Sequence, residues 1–423
     1  MKQAVFSLFL LAPLAAHAKV AVNFAPDTGI KTLILDELSA AKAHVDIAMY
    51  SYSDAALLKK AKELSQAGIK VRVILDSAPK EAKRATELEE AGIDVRYVTF
   101  VMHHKFAVID GPLSEDDAKG ATVLTGSLNW SASAYQSYDE DLLVLKNEAS
   151  MAFAFQDEFN HIWNHAKEYA GPASDGAESV DFDMDTIDAD APVVFTSANL
   201  EPVKRGDEWS FRTVAKLEDG VAGRTLIQAI DDSQSSVQIA TAHFRRRDVY
   251  DALERALKRG VKVELVLDGQ EYDSDTPRTL EDGDTTHLDE FLATKGASVK
   301  YKMYSRYWNH GTAKQMHAKY MIVDGRSVLT GSFNWSENAE LKTFENLVLL
   351  NEGGLGSDLM DDYEANFTKI SSYGEGQLSS LIESIKASDG KGPCVFAPIA
   401  LTGEETKTLR AAYARGACRA TER

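Results

Sequence analysis

Two stretches of this chain carry the same order of apolar and polar positions. His44 to Ser77 (HVDIAMYSYSDAALLKKAKELSQAGIKVRVILDS) and Ser236 to Gly269 (SVQIATAHFRRRDVYDALERALKRGVKVELVLDG) align without a gap, 192 residues apart. Each opens on an apolar run that predicts a strand, Val45 to Met49 and Val237 to Thr241. Apolar residues three and four apart then predict a helix, and Gly68 or Gly260 stops it. A second, nearly continuous apolar run follows, Val71 to Leu75 and Val263 to Leu267, ending in Asp. Two strands buried on both faces and joined by a helix form a βαβ unit with parallel strands.

The repetition continues downstream. VMHHKFAVIDG (from Val101) and MHAKYMIVDG (from Met316) place their histidines 214 residues apart, whereas TGSLNWS at Thr125 and TGSFNWS at Thr330 differ by 205, as do Glu140 and Glu345. The second copy therefore has 22 extra residues between Gln270 and Lys314, and the first has nine extra in the polar loop Pro112 to Gly120. A duplication with changed loop lengths accounts for every shift. It predicts an α/β chain of two repeated α/β/α domains, residues 19–171 and 193–385, with mixed, mostly parallel sheets. Between them, residues 172–192 hold seven acidic side chains and no basic one, the composition of a solvated linker.

Composition limits what the repeats can do. With 423 residues, 44% apolar and 26% charged, the chain can bury two sizeable cores. A formal charge of -19 works against loose binding of polyanions, so any anion site must be local. Residues 1–18, MKQAVFSLFLLAPLAAHA, read as a secretory signal with cleavage after Ala18. Removing Lys2, its only charge, would leave 45 of the 46 basic residues against 65 acidic ones, a net charge of -20. The expected location is periplasmic or external. In an oxidising compartment Cys394 and Cys418, both within the tail over residues 386–423, favour a disulfide.

The candidate chemistry lies in the second repeated block. At a period of two, His103 and Lys105 share one face of a strand, as do His317 and Lys319. Ser127 with Asn129, and Ser332 with Asn334, can face the same place from their turns. HxKxxxxD followed by GSxN, occurring twice in a chain of βαβ repeats, resembles the phospholipase D superfamily, over Val20 to Ile385. The resemblance implies two similar domains about a pseudo-twofold axis, with both His-Lys pairs in one pocket.

That set of residues suits a phosphodiester. Lys105 and Lys319, with donors from Asn129, Asn334, Ser127 and Ser332, would hold the negative charge that develops as phosphorus is attacked. By resemblance, His103 is the nucleophile that forms a phosphohistidine, and His317 is the general acid and later the base that activates water. Glu140 and Glu345 would each hold an imidazole nitrogen and fix its tautomer. Asp110 and Asp324 read as turn-fixing residues at the strand ends, and His104 should face away from the pocket. No cofactor is expected, and no metal, since the chain has no HExxH and no carboxylate cluster.

Substrate class is less legible. Arg245, Arg246 and Arg247 stand near the end of a parallel strand, where such sheets bind ligands, and are candidate anion binders. Tyr304, Tyr307 and Trp308, at the end of the insertion, are candidate pocket walls. The expected partner is a phospholipid of the phosphatidylcholine type, hydrolysed during transient contact with a membrane surface and without an obligate oligomer. Nucleic acid is the alternative substrate, and transfer to an alcohol, as a cardiolipin synthase would perform, is the alternative outcome.

Overall fold

The fold is that of a computed structural model, which describes residues 19–77, 79–114, 120–169, 191–206, 208–273, 278–279, 285–309, 314–414 and 418. The leader expected over 1–18, and the linker up to residue 190, lie outside the described residues. Each repeat builds one eight-stranded sheet. In the first, the strands are β1 (Lys19–Ala25), β2 (His44–Met49), β3 (Lys70–Leu75), β4 (Asp94–Tyr97), β5 (Lys105–Ile109), β6 (Thr122–Gly126), β7 (Glu140–Lys146) and β8 (Lys167–Glu168). They lie in the order β1-β7-β6-β5-β2-β3-β4-β8. The second sheet has β9 (Val193–Phe195), β10 (Ser236–Thr241), β11 (Lys262–Asp268), β12 (Ser298–Ser305), β13 (Lys319–Val323), β14 (Ser327–Gly331), β15 (Asn346–Asn351) and β16 (Val395–Leu401). Its order, β9-β15-β14-β13-β10-β11-β12-β16, is the same path moved on by eight strands.

Both sheets are mixed, and the parallel part is smaller than the repeats suggest. Parallel pairing is confined to β2-β3-β4 and β10-β11-β12, the strands linked by helices. The reason is connection length. Asp324 to Arg326 joins β13 to β14 in one tight turn, and only antiparallel neighbours can be joined that way.

The tail is not an appendage to a domain ending at residue 385. β16 pairs antiparallel with β12 and buries Ile399 and Leu401, so residues beyond 385 complete the second sheet. Pro398 is tolerated there because β16 is an edge strand. The disulfide between Cys394 and Cys418 ties the end of the chain to the start of this strand.

Three apolar layers hold the molecule together. One lies in each repeat on the side of its βαβ helices, and a third lies between the repeats. The shared layer joins Phe106, Phe155 and Phe159 of the first repeat to Tyr320, Tyr363 and Phe367 of the second. Burial of this kind contributes about 25 cal/mol per Å² of apolar surface, so the shared layer fixes how the halves meet. A buried ion pair adds orientation: Lys302 on β12 bonds the carboxylate of Asp139 in the first repeat, which also accepts from the Tyr373 hydroxyl.

Candidate active site

The two His-Lys strands, β5 and β13, reach the boundary between the repeats. Each histidine is held there by backbone and side chain of the opposite half. The amide of His103 donates to the carbonyl of Phe344 at 3.2 Å, and that of His317 donates to the carbonyl of Asp139 at 2.9 Å. The side-chain pairs are crossed in the same way. His103 Nδ1 lies 2.8 Å from Glu345, and His317 Nδ1 lies 2.8 Å from Glu140. With Nδ1 committed to a carboxylate, Nε2 is the nitrogen left to each ring for chemistry.

Burial drives both rings toward the neutral form. It holds His103 and His317 well below the ordinary imidazole range, and the ammonium groups of Lys105 and Lys319 push the same way. The positive charge of His317 acts on His103 as well, so the first proton to enter the pocket opposes a second. Glu140 and Glu345 are raised by burial, against the pull of the two lysines. Lys105 and Lys319 are themselves buried, and each donates to the carbonyl of its own histidine, Lys105 at 2.6 Å.

The GSxN turns do two different jobs. Gly126 and Gly331 have φ of 135° and 148°, and a Cβ at either would lie 2.4 Å from a carbonyl oxygen of the neighbouring strand. Ser127 and Ser332 are fully buried, accept from the amides of Asp141 and Asn346, both at 3.0 Å, and hydrogen-bond Glu140 and Glu345. Their hydroxyls hold the glutamates, a positioning role beside the expected one of supplying donors to a phosphate. Asn129 and Asn334 differ: each has a buried amide oxygen without a partner among the described residues. These orphans are acceptors, so a contact with a phosphate oxygen would fall to the amide nitrogens of the same side chains.

Asp110 and Asp324 have φ of 50° and 56°, and their carboxylates accept from the backbone amides that lead into β2 and β10. His104 is fully buried away from the pocket, between Glu158 at 2.9 Å and Asn346 at 3.1 Å.

The arginine run is mostly neutralised. Arg246 is 1% exposed and bonds both Glu340 and Asp248, so it is no candidate for substrate. Arg247 pairs with Asp251 at 2.9 Å at the start of helix Arg247–Lys258. A helix start disfavours cations, and local carboxylates compensate them. Arg245 pairs with Glu271 at 2.7 Å, the carboxylate that His243 also bonds. The aromatic expectation also changes. Tyr304 is buried, Tyr307 is exposed beside Arg410 of the tail, and the Trp308 amide donates to Asp273 at 2.6 Å. These rings brace the insertion against the tail, where Arg410 also bonds Asp273.

Three residues near the reacting groups went unread in the sequence. The Tyr50 ring lies 4.6 Å from that of His103, with Lys105 over its face at 5.2 Å. Tyr138 lies 6.2 Å from His317. His243, whose charge is felt by both reacting histidines, bonds Glu271 at 2.9 Å. Its signal was available: the gap-free repeat puts it opposite Ser51.

A family model described as "Cardiolipin synthase, PLD-like domain" matches residues 34–163 and 226–371, more than half of the chain. The chain therefore belongs to the phospholipase D superfamily. It is 33% identical over 134 residues to a mitochondrial cardiolipin hydrolase of Xenopus laevis, a match covering 31% of this chain and 59% of that one. The human mitochondrial cardiolipin hydrolase is 32% identical over 138 residues, covering 31% and 49%. The matches thus span between half and three fifths of these relatives. A phosphatidylserine synthase of Haemophilus influenzae shares the fold, with a TM-score of 0.53 at 15% identity over 82% of this chain and 86% of that one.

Proposed function

We propose that this chain cleaves glycerophospholipids, with His103 taking the phosphatidyl group and His317 protonating the departing alcohol. The crossed His103–Glu345 and His317–Glu140 pairs carry this reading. Both rings have Nδ1 committed to a carboxylate beside two buried lysines, and the depressed basicity of His103 keeps its attacking nitrogen unprotonated.

The order of events follows from charge. Neutral His103 attacks phosphorus through Nε2, while Lys105, Lys319, Asn129 and Asn334 hold the non-bridging oxygens. The bond to the leaving oxygen breaks as that oxygen takes a proton from Nε2 of His317. His317, now neutral, accepts a proton from water or from an alcohol, whose oxygen displaces His103. Hydrolysis and phosphatidyl transfer differ only in which hydroxyl enters.

We further assign an anionic lipid of the cardiolipin or phosphatidylglycerol type in place of phosphatidylcholine. The matching family and the matching relatives are named for cardiolipin. The nuclease reading is weakened by the pairing of Arg246 and Arg247, which takes both out of a cationic track for a polyanion. The test is incubation of the protein with vesicles of cardiolipin or of phosphatidylcholine, and with single-stranded DNA, followed by mass spectrometry of products with and without glycerol. Phosphatidate or an exchanged headgroup from cardiolipin is expected; cleavage of DNA alone would sink the reading.

A further inference from the structure

The reaction pocket uses two histidines, yet a third stands beside it. His243 follows β10 by two residues, and Thr241 of β10 pairs with Lys319, which itself follows His317 by two. The His243 ring is partly exposed and hands Nδ1 to Glu271, and Arg245 bonds the same carboxylate at 2.7 Å. Burial would raise Glu271, but the bonds and charges of His243 and Arg245 overcome it and bring the group down to about 2. An imidazole and a guanidinium thus share one carboxylate beside the reacting histidines, in a molecule of net charge -19.

Charge compensation for a buried glutamate could by itself explain the cluster, and the first repeat tests that explanation. There Glu81 accepts from the amide of Tyr52, just as Glu271 accepts from the amide of the aligned Phe244. Glu81 is 3% exposed and Glu271 5%, so both are buried alike. Yet the positions aligned with His243 and Arg245 are Ser51 and Ser53. The first repeat thus keeps the backbone role of the glutamate with serines at these two aligned positions. The second repeat has added an imidazole and a guanidinium on one carboxylate, with the imidazole close enough to act on both reacting histidines.

We propose that His243 and Arg245, oriented by Glu271, form a subsite for a second phosphate of the substrate, one glycerol away from the phosphate attacked by His103. The proposal rests on the lipid reading above, since a cardiolipin-type diester carries two phosphates and phosphatidylcholine one. On binding an anion, His243 donates Nδ1–H to the Glu271 carboxylate and Nε2–H to a phosphoryl oxygen, and Arg245 supplies the neighbouring donors. His243 is thus a specificity-determining residue, and Glu271 a positioning one.

Isothermal titration of the full chain with glycerol monophosphate and with glycerol bisphosphate tests this without any turnover. The bisphosphate is expected to bind about ten-fold more tightly, a difference of about 1.4 kcal/mol. His243→Gln should reduce that preference to less than two-fold. Arg245→Met, at a partly exposed side chain, should reduce it in the same direction and guards against a folding defect in the first variant. Equal affinity of the unaltered protein for both ligands, or a preference that survives both substitutions, overturns the subsite. Failure to act on cardiolipin vesicles alongside a His243-dependent bisphosphate preference would instead reject the lipid reading and leave the subsite standing.

Discussion

Glu345 belongs to the second half of the chain, yet its carboxylate holds Nδ1 of His103 in the first, at 2.8 Å. Glu140 does the reverse for His317. Neither half therefore owns a complete reacting group.

The crossing sets which step each glutamate serves. Glu345→Gln should slow formation of the phosphohistidine, because the ring of His103 loses the partner that fixes its tautomer. Glu140→Gln should slow leaving-group protonation and the later attack of water. Loss of such an orienting carboxylate costs up to about 10⁴-fold in rate. Rapid-quench labelling with a phosphodiester bearing a p-nitrophenyl leaving group separates the two, since p-nitrophenolate departs without a proton. Labelling should be slow in the first variant, and rapid with persistent label in the second. The opposite pattern would exchange the roles of His103 and His317.

Removing the rings themselves is more severe. His103→Ala should abolish labelling, whereas His317→Ala should still label with the p-nitrophenyl substrate while losing about 10²–10⁴-fold on a natural alcohol leaving group. Label found on His317 in the unaltered protein would contradict the assignment.

The pH profile follows from the direction in which His103 is shifted. Its basicity is depressed by burial and by Lys105 and Lys319, so the folded protein keeps the ring neutral as pH falls through the ordinary value of 6.5. Attack by a neutral ring should then persist below that value. The rate of labelling by the p-nitrophenyl substrate is expected to stay level from pH 8 to the ordinary imidazole range and to decline only on its acid side. A decline centred above 6.5 would show that His103 is not held neutral.

Arg246 and Arg247 should separate in stability. Arg246→Ala leaves Glu340, which is fully buried and also accepts from the amides of Ala222 and Gly223, without its cation. Breaking a buried pair in this way costs about 3–5 kcal/mol. Arg247→Ala removes a surface pair with Asp251, a contribution of about 0.5 kcal/mol or less. Urea unfolding of both variants provides the comparison; equal losses would mean that the arginine run acts as one unit.

Much of the site was legible because it is written twice. The His-Lys spacing, the GSxN turns and the glutamates recur at fixed offsets, and a local pattern is enough to find them. Their partners were not legible. The contact of His103 with Glu345 spans 242 residues and that of Arg246 with Glu340 spans 94, and no periodicity records such distances. The arginines therefore read as free cations when all three are paired. The strand β16 was missed because its proline argues against a strand, and only its edge position makes it acceptable. His243 was visible but overshadowed by the three arginines that follow it.

The ion pair between Asp139 and Lys302 has a bearing on ancestry. Asp139 aligns with Phe344, and both lend a backbone carbonyl to a histidine, so their main-chain task is still shared. Their side chains have parted: Phe344 packs on Phe211 at 4.8 Å and Asp139 reaches Lys302. Two first halves brought together in place of the native halves would set Asp139 where Phe344 now lies, putting a carboxylate against apolar rings without its lysine. A free first repeat, residues 20–171, should accordingly be inactive and stay monomeric in sedimentation, even though its strand order would allow a symmetric pair. The duplicated halves have each become the other's required complement, and the route back to a self-paired single repeat is closed.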